Sequence, residues 1–291
     1  MDCAFTLRGA LDYAECALTE NKLPLGAMAR GFVDWLTENA AWVFDGISAG
    51  LEASIDALLW VIQYPHPLIM ALLVAGFAWR RRSAGFAVFT FLSLILIINL
   101  GYWEETTQTV ALVLASAAVC MSVGVPTGIA AARRPWLFTM MRPVLDLMQT
   151  IPTFVYLIPA LILFGLGMVP GLVATVIFAL PASIRLTHLG ITSTPKALIE
   201  AGEAFGASRA QLLWKIELPY AMPQIMAGLT QTIMLSLSMV VVAALVGADG
   251  LGVATLRALN QVNIAKGFEV GLVIVLVAIL MDRLARNEDV S

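Results

Sequence analysis

Charged side chains concentrate in one stretch of an otherwise apolar chain, residues 200–219. The whole sequence is 60% hydrophobic and 13% charged. The charged members of the stretch are Glu200, Glu203, Arg209, Lys215 and Glu217. Each would cost about 2.5–3.5 kcal/mol at the centre of a bilayer. The stretch is therefore expected outside the membrane.

The same stretch has the residue types of a docking element for another protein. The small residues that would let a second surface approach the backbone are Ala201, Gly202, Ala204 and Gly206. Phe205, between the last two, is one large anchor for a pocket on the partner. Gly206 is expected to turn the chain, and Ser208 to cap a second short helix. A connector that merely lies on the membrane surface is the alternative interpretation.

No arrangement suited to catalysis or metal binding accompanies this stretch. The phosphate-binding pattern GxxxxGK[ST] occurs nowhere, so neither ATP nor another cofactor is expected to bind this chain. His188 has no partner at metal-ligand spacing, and it is expected, with Arg185, to reach the membrane interface. Cys3, Cys16 and Cys120 are too few for a zinc site, and a Cys3–Cys16 pair stays open. An intramembrane enzyme would need HExxH or paired membrane aspartates, which are absent.

Two groups of polar side chains lie inside apolar segments. Gln149, Thr153 and Tyr156 are spaced i, i+4 and i+7, which places them on one face of a helix kinked by its prolines. They either line a translocation pathway or hydrogen-bond to neighbouring helices. A second group, which repeats every seven residues after the charged stretch, is Gln224, Gln231 and Ser238. A pathway wall is favoured for this seam, because Pro219 is expected to restart a helix there after Leu218.

Apolar runs long enough to cross a bilayer predict an all-α polytopic membrane protein with about seven spans. The candidate spans are residues 67–79, 85–101, 108–131, 144–166, 170–190, 221–246 and 268–282. Arg and Lys follow every second span, so the N-terminus is expected outside and the C-terminus inside. Residues 31–63 alternate apolar and acidic positions as an amphipathic helix, whose Trp35, Trp42 and Trp60 suit lipid headgroups. No basic patch for nucleic acid is present.

The charged stretch resembles the EAA loop of binding-protein-dependent ABC importer permeases. The matching positions are Glu200, Ala201, Gly202, Gly206, Ile216, Leu218 and Pro219. The family usually has alanine where this chain has Gly202, which keeps that position small. The resemblance implies a type I ABC importer fold, in which residues 195–219 form a coupling loop seated in a groove of a separate ATPase. ATP and Mg would be bound by two such ATPase subunits.

Further stretches narrow the resemblance to permeases of the glycine betaine, proline betaine and choline uptake branch. These stretches are QTIPTFVYLIP, IRLTHLGI and LVGADGLG. The resemblance implies a bacterial inner-membrane homodimer that works with an extracytoplasmic substrate-binding protein. It also implies three regions: an extracytoplasmic N-terminal region (1–63), two accessory helices (64–102) and a core permease domain (103–286).

The substrate is less constrained by the sequence than the class of protein. Glycine betaine, choline, carnitine and trimethylamine oxide all fit the resemblance, because a quaternary-ammonium cage would belong to the separate binding protein. A permease for another small solute, such as an amino acid, is the alternative. An ion-coupled secondary transporter would need ionisable residues near mid-membrane, where only Asp146 and Arg185 come close.

Overall fold

The computed structural model describes residues 24–286, and within that range all regular secondary structure is helical, as predicted. The helices are α1 (Leu25–Gln63), α2 (Pro67–Arg81), α3 (Ala84–Asn99), α4 (Trp103–Arg133), α5 (Pro135–Thr150), α6 (Thr153–Phe164), α7 (Met168–Thr192), α8 (Lys196–Ala204), α9 (Arg209–Leu212), α10 (Leu218–Ala243), α11 (Leu251–Asn260) and α12 (Ile264–Ala285). Cys3 and Cys16 lie outside the described residues.

The chain separates into two compact units, Met1–Phe44 and Asp45–Ser291. The predicted amphipathic segment is one continuous helix, α1. Its Trp35 and Trp42, in the first unit, are exposed, as is Trp60 in the second. These indoles are therefore available to lipid headgroups, as the sequence suggested.

Within residues 24–286, four helical segments are long and apolar enough to cross a membrane. They are α4, α7, the continuous segment Arg209–Val246 and α12. The number rises to six if each of two bent helix pairs counts as one span, and α3 is a shorter apolar helix. The predicted spans 108–131, 170–190, 221–246 and 268–282 coincide with the four long segments.

The single kinked helix predicted over residues 144–166 is instead two helices, because the chain bends by 96° between α5 and α6. Pro152 lacks an N–H, and it disfavours helical geometry for the residue before it. Ile151 is accordingly extended, with φ −65° and ψ 132°. A kink was expected here, whereas the structure has two separate helices.

Helices α4, α7 and α10 pack against one another most extensively and form the centre of the bundle. Small residues permit this close approach. A Cβ added at Gly124 of α4 would lie 1.9 Å from Ser183 Oγ of α7, and one at Gly128 would lie 2.7 Å from Thr187 Cβ. Ser183 also donates a hydrogen bond to the Cys120 carbonyl at 3.0 Å. The two helices thus approach closely, and a side-chain-to-backbone hydrogen bond joins them.

A glycine-rich turn joins α10 to α11. Gly247 and Gly250 have φ +88° and +126°, values that favour glycine. The turn closes on α4, because the Leu251 N–H donates to Thr109 Oγ1 at 2.9 Å. Nearby, Tyr102 donates to Glu269 at 3.5 Å. Partial burial and the Glu269 carboxylate raise the pKa of Tyr102, so its hydroxyl stays protonated at neutral pH.

Candidate functional site: the coupling loop and its helix

The charged stretch folds as two short helices around a glycine turn. Helix α8 ends at Ala204, and Gly206 follows with φ +77°. Ser208 then begins α9 with a capping box: its hydroxyl accepts from the Gln211 N–H, and the Gln211 side chain accepts from the Ser208 N–H. The predicted turn and cap are both confirmed.

The loop has an inner face that packs on itself and an outer face that is open. Gly202 faces inward: an added Cβ would lie 2.6 Å from both Leu212 Cδ2 and Ile216 Cδ1. Its small size therefore serves the loop's own fold, and the expectation that it admits an outside surface is wrong. The outer face carries Phe205, 93% exposed, and Trp214, 67% exposed. Two aromatic side chains are thus presented without intrachain cover.

The other loop positions that the sequence analysis assigned to partner contact differ in their exposure. The exposed ones are Glu200, Ala201, Ala204, Gly206 and Pro219, and the partly buried ones are Ile216 and Leu218. Exposed small residues flank Phe205 on both sides. Another surface can therefore approach the backbone next to this aromatic ring.

The loop runs into the membrane helix without a break. Residues Leu213–Glu217 form a π-helical turn between α9 and α10, in which the Leu218 N–H donates to the Leu213 carbonyl. The wide turn makes room for the Pro219 ring, which would clash with a carbonyl in a regular helix. The α-helix α10 begins at Leu218 with Pro219 in its first turn, as predicted, and the π-helical turn joins it to α9, so the helical segment is continuous over Arg209–Val246.

An ion pair that sequence reasoning missed fastens this turn to α4. Arg133 Nη2, on the last residue of α4, donates to Glu217 Oε2 and to the Arg209 carbonyl, each at 3.0 Å. The Glu217 side chain is only 14% exposed. The two residues lie 84 positions apart, so no local pattern links them.

The polar seam predicted on α10 is exposed along its length. Gln224, Gln231 and Ser238 are all exposed in this chain. Gln231 lines a groove of about 940 Å³ between α10 and α12, together with Met226 and Met234. Ser238 instead donates to the Met234 carbonyl of its own helix at 3.0 Å. Two glutamine side chains are thus left facing outward within an apolar span.

Gln149, Thr153 and Tyr156 do not share a helix face, because the bend between α5 and α6 separates them. Tyr156 is buried, and its hydroxyl donates to the carbonyls of Met148 at 2.5 Å and Leu147 at 3.3 Å. The Met148 carbonyl has no N–H donor four residues further on, because that residue is Pro152, whereas the Leu147 carbonyl also accepts from the Ile151 N–H at 3.1 Å. Tyr156 therefore holds the bend, while Gln149 and Thr153 are partly exposed beside it.

Arg185 and His188, which were predicted to reach the membrane interface, both have partners within the bundle. Arg185 Nη2 forms a 2.6 Å ion pair with Asp146 Oδ1 of α5. His188 stacks on Phe138 of α5 with ring centroids 3.7 Å apart. One face of α7 is thereby joined to α5 at two successive levels.

Over residues 24–286, no group of three or more His, Cys, Asp or Glu side chains could hold a metal ion. Cys120 is a buried free thiol. The candidate site is therefore an exposed loop with an aromatic tip, which continues into a membrane helix with a polar seam. These are the parts of a transport permease.

Comparison with known proteins identifies the family. Residues 124–289 match the family described as binding-protein-dependent transport system inner membrane component. The chain belongs to this family, and it is a multi-pass protein of the bacterial inner membrane. Membership implies a separate ATPase and a substrate-binding protein as partners.

Three relatives are named for betaine transport. A glycine betaine permease of Bacillus subtilis (strain 168) is 46% identical, over 91% of this chain and 94% of the relative. A glycine betaine/carnitine permease of Listeria monocytogenes is 44% identical, over 91% and 95%. A glycine betaine/proline betaine permease of Escherichia coli (strain K12) is 42% identical, over 91% and 75%. The resemblance to this branch is confirmed.

A solved structure shares the fold. The methionine ABC transporter MetNI, in an inward-facing conformation, matches with a TM-score of 0.57 and 23% identity, over 64% of this chain and 94% of the other. The helical core is therefore that of an ABC transporter permease.

Proposed function

We propose that this chain is the membrane subunit of an ATP-driven importer for a small methylated amine of the glycine betaine type. The observation that carries the proposal is the Phe205 loop, exposed at its tip and continuous with α10. An exposed aromatic flanked by small residues suits a pocket on a partner. The continuous helix suits the transfer of a partner's motion into the membrane. The names of the three betaine permeases support the substrate class.

ATP hydrolysis belongs, in this proposal, to two partner ATPase subunits that bind ATP and Mg. The contact set on this chain comprises Glu200, Ala201, Ala204, Phe205 and Gly206, while Gly202, Ile216, Leu218 and Pro219 shape the loop behind them. Closure of the ATPases presses on Phe205, and the helical segment Arg209–Val246 carries the displacement into the bilayer.

The translocation pathway runs along the α10 seam, between two copies of this permease. Gln224, Gln231 and Ser238 are exposed in a single copy. Amide side chains facing hydrocarbon would be costly, whereas a wetted pathway satisfies them. Gln149 and Thr153 extend the polar lining at the α5–α6 bend, and Tyr156 keeps the bend in shape.

The proposed topology has about seven spans, with the N-terminus outside and the C-terminus inside. The cationic ends of α2 and α4 and the loop after α7 then share the cytoplasmic side, which agrees with the positive-inside rule. Residues 1–63 form an extracytoplasmic region that rests partly on lipid, 64–102 two accessory helices and 103–286 the core permease domain.

Reconstitution tests the proposal directly. The chain should copurify with its ATPase from native membranes, and the complex in liposomes should take up glycine betaine when ATP and the binding protein are on opposite faces. Uptake by the permease alone would favour an ion-coupled transporter and would contradict the proposal. Uptake of an amino acid without any methylated amine would contradict the substrate class.

Gln231→Leu should lower uptake by about fivefold, the effect of losing one hydrogen bond of about 1 kcal/mol in the pathway. Assembly and basal ATP hydrolysis should persist, because Gln231 makes no intrachain hydrogen bond to the described residues. The measurement is the initial rate of radiolabelled betaine uptake in proteoliposomes. Met234→Leu, in the same groove, is the control with unchanged polarity, and equal uptake by the two variants would remove Gln231 from the pathway.

A further inference from the structure

We infer that Arg133 is a positioning residue that clamps the coupling loop to α4, so that a push on the loop moves α4 and α10 together. The inference rests on the proposed function, since it assumes that the loop receives force from an ATPase. It adds a second route for that force, through a side-chain contact instead of the backbone. No feature of the EAA pattern includes Arg133.

The contact has the geometry of a clamp. One nitrogen, Arg133 Nη2, donates to the Glu217 carboxylate and to the Arg209 carbonyl at 3.0 Å each. Its two acceptors lie near opposite ends of the segment that contains the π-helical turn. The guanidinium therefore ties the first residue of α9 and the last residue of the π-helical turn to one point on α4. A charge-assisted pair whose carboxylate is largely buried is screened less than a surface pair.

The turn between these ends is the weak point of the helical connection. Over Leu213–Glu217 the helix is wider than a regular α-helix. Pro219 has no N–H, so it cannot donate a hydrogen bond to a carbonyl of the preceding turn. Helices bend preferentially at such π-helical turns and at prolines. A force applied at Phe205 would therefore tend to pivot the loop at this turn instead of moving α10.

Helix α4 is a firm base for the clamp. Gly128, five residues before Arg133, lets α4 meet α7 closely, since an added Cβ would lie within 2.8 Å of the Ile184 carbonyl oxygen and 2.7 Å of Thr187 Cβ. Helix α4 also packs on α10. The Arg133 contact joins the loop to α4, and α4 packs on α10, so the loop and α10 are connected by a second path beside the π-helical turn. Without it, the loop would keep its chain connections to α7 and α10 and the apolar packing of Leu213 and Leu218, but it would lose this polar contact with α4.

The test measures the number of substrate molecules taken up per ATP hydrolysed by the reconstituted complex. Arg133→Ala and Glu217→Gln should each lower this ratio by roughly three- to tenfold, the range for one lost pairwise interaction. Both variants should still copurify with a normal amount of the ATPase, because the proposed docking residue Phe205 is unchanged. The charge-reversed double variant R133E/E217R should recover much of the ratio. A merely structural role would change the amount or thermal stability of the complex and not the ratio.

The matched control is Arg134→Ala, which removes a positive charge from the same end of α4. Arg134 is exposed and forms no ion pair with the described residues. A ratio in Arg133→Ala equal to that of Arg134→Ala would overturn the clamp. If Arg133→Ala fails to assemble, Glu217→Gln decides, since it keeps the side-chain volume, and a normal ratio there overturns the clamp. Failure of the unaltered chain to bind any ATPase would instead overturn the proposed function.

Discussion

Phe205→Ala is expected to abolish ATP-driven uptake while the helical bundle stays folded. The Phe205 side chain is 93% exposed, so its truncation removes almost no packing within the chain. An aromatic anchor that fills a partner's pocket typically contributes about 2–4 kcal/mol when it is truncated. The ATPase should therefore bind roughly 30- to 1,000-fold more weakly. The measurement is the binding of purified ATPase to the permease in lipid nanodiscs, beside its thermal stability.

Trp136→Ala is the matched control for that variant. Trp136 is also an exposed aromatic, 59% exposed, but it lies at the start of α5, outside the coupling loop. Its truncation should leave ATPase binding unchanged. Normal ATP-driven uptake by Phe205→Ala, or equal weakening by both variants, would contradict docking at the loop tip.

Gly124→Leu should have the largest effect on stability. Even the first carbon of the new side chain would lie 1.9 Å from Ser183 Oγ and 2.8 Å from Ser183 Cβ. Helices α4 and α7 would have to separate, and overpacking of this kind costs about 1–3 kcal/mol or more. The hydrogen bond from Ser183 to the Cys120 carbonyl would also be strained. The free energy of unfolding in mixed micelles, or the temperature of half-aggregation in detergent, would report the loss.

The same substitution at Gly271 of α12 is the control. No atom lies within 4 Å of a Cβ built there, so Gly271→Leu should be tolerated far better in a helix of similar environment. A compensating size exchange, G124A/S183G, should recover most of the stability lost in Gly124→Ala. Equal stability of Gly124→Leu and Gly271→Leu would show that the α4–α7 approach is not a limiting contact.

The coupling loop and the clamp suggest why this permease needs a stiff cytoplasmic end. A docking loop transmits motion only if its base resists bending. Here the base contains a π-helical turn and a proline, both of which are sites of bending. In the proposed mechanism, the Arg133–Glu217 pair compensates for that weakness by joining the base to α4, which packs closely on α7. Phe205 would then receive the force, and Arg133 would direct it.

Local features of the coupling loop were predictable because each depends on neighbours in the sequence. The turn at Gly206 follows from the freedom of glycine to adopt positive φ. The capping box of Ser208 and Gln211 spans four consecutive residues. The exposure of Phe205 follows from the charges around it, which cannot enter the bilayer. None of these conclusions required a distant contact.

Other sequence-based expectations were less accurate where a proline changed the regular helix on which they depended. Periodicity placed Gln149, Thr153 and Tyr156 on one face, but Pro152 ended the helix between the first and the second. The start of α10 at Leu218, with Pro219 in its first turn, was predicted, but the π-helical turn that joins α10 to α9 was not. The error at Pro152 came from expecting a kink where the proline ended the helix.

By itself, the sequence determined that this is a helical membrane protein, that residues 200–219 lie outside the bilayer, and that the loop matches the permease family. Hydrophobicity, charge and motif spacing are properties of the chain alone. Only the tertiary structure decided the partners: Arg133 with Glu217, Arg185 with Asp146, and Gly124 with Ser183. The physical reason is that these pairs join residues 39 to 84 positions apart, or helices that meet only after packing. Their contacts arise from the arrangement of whole helices, which no local pattern records.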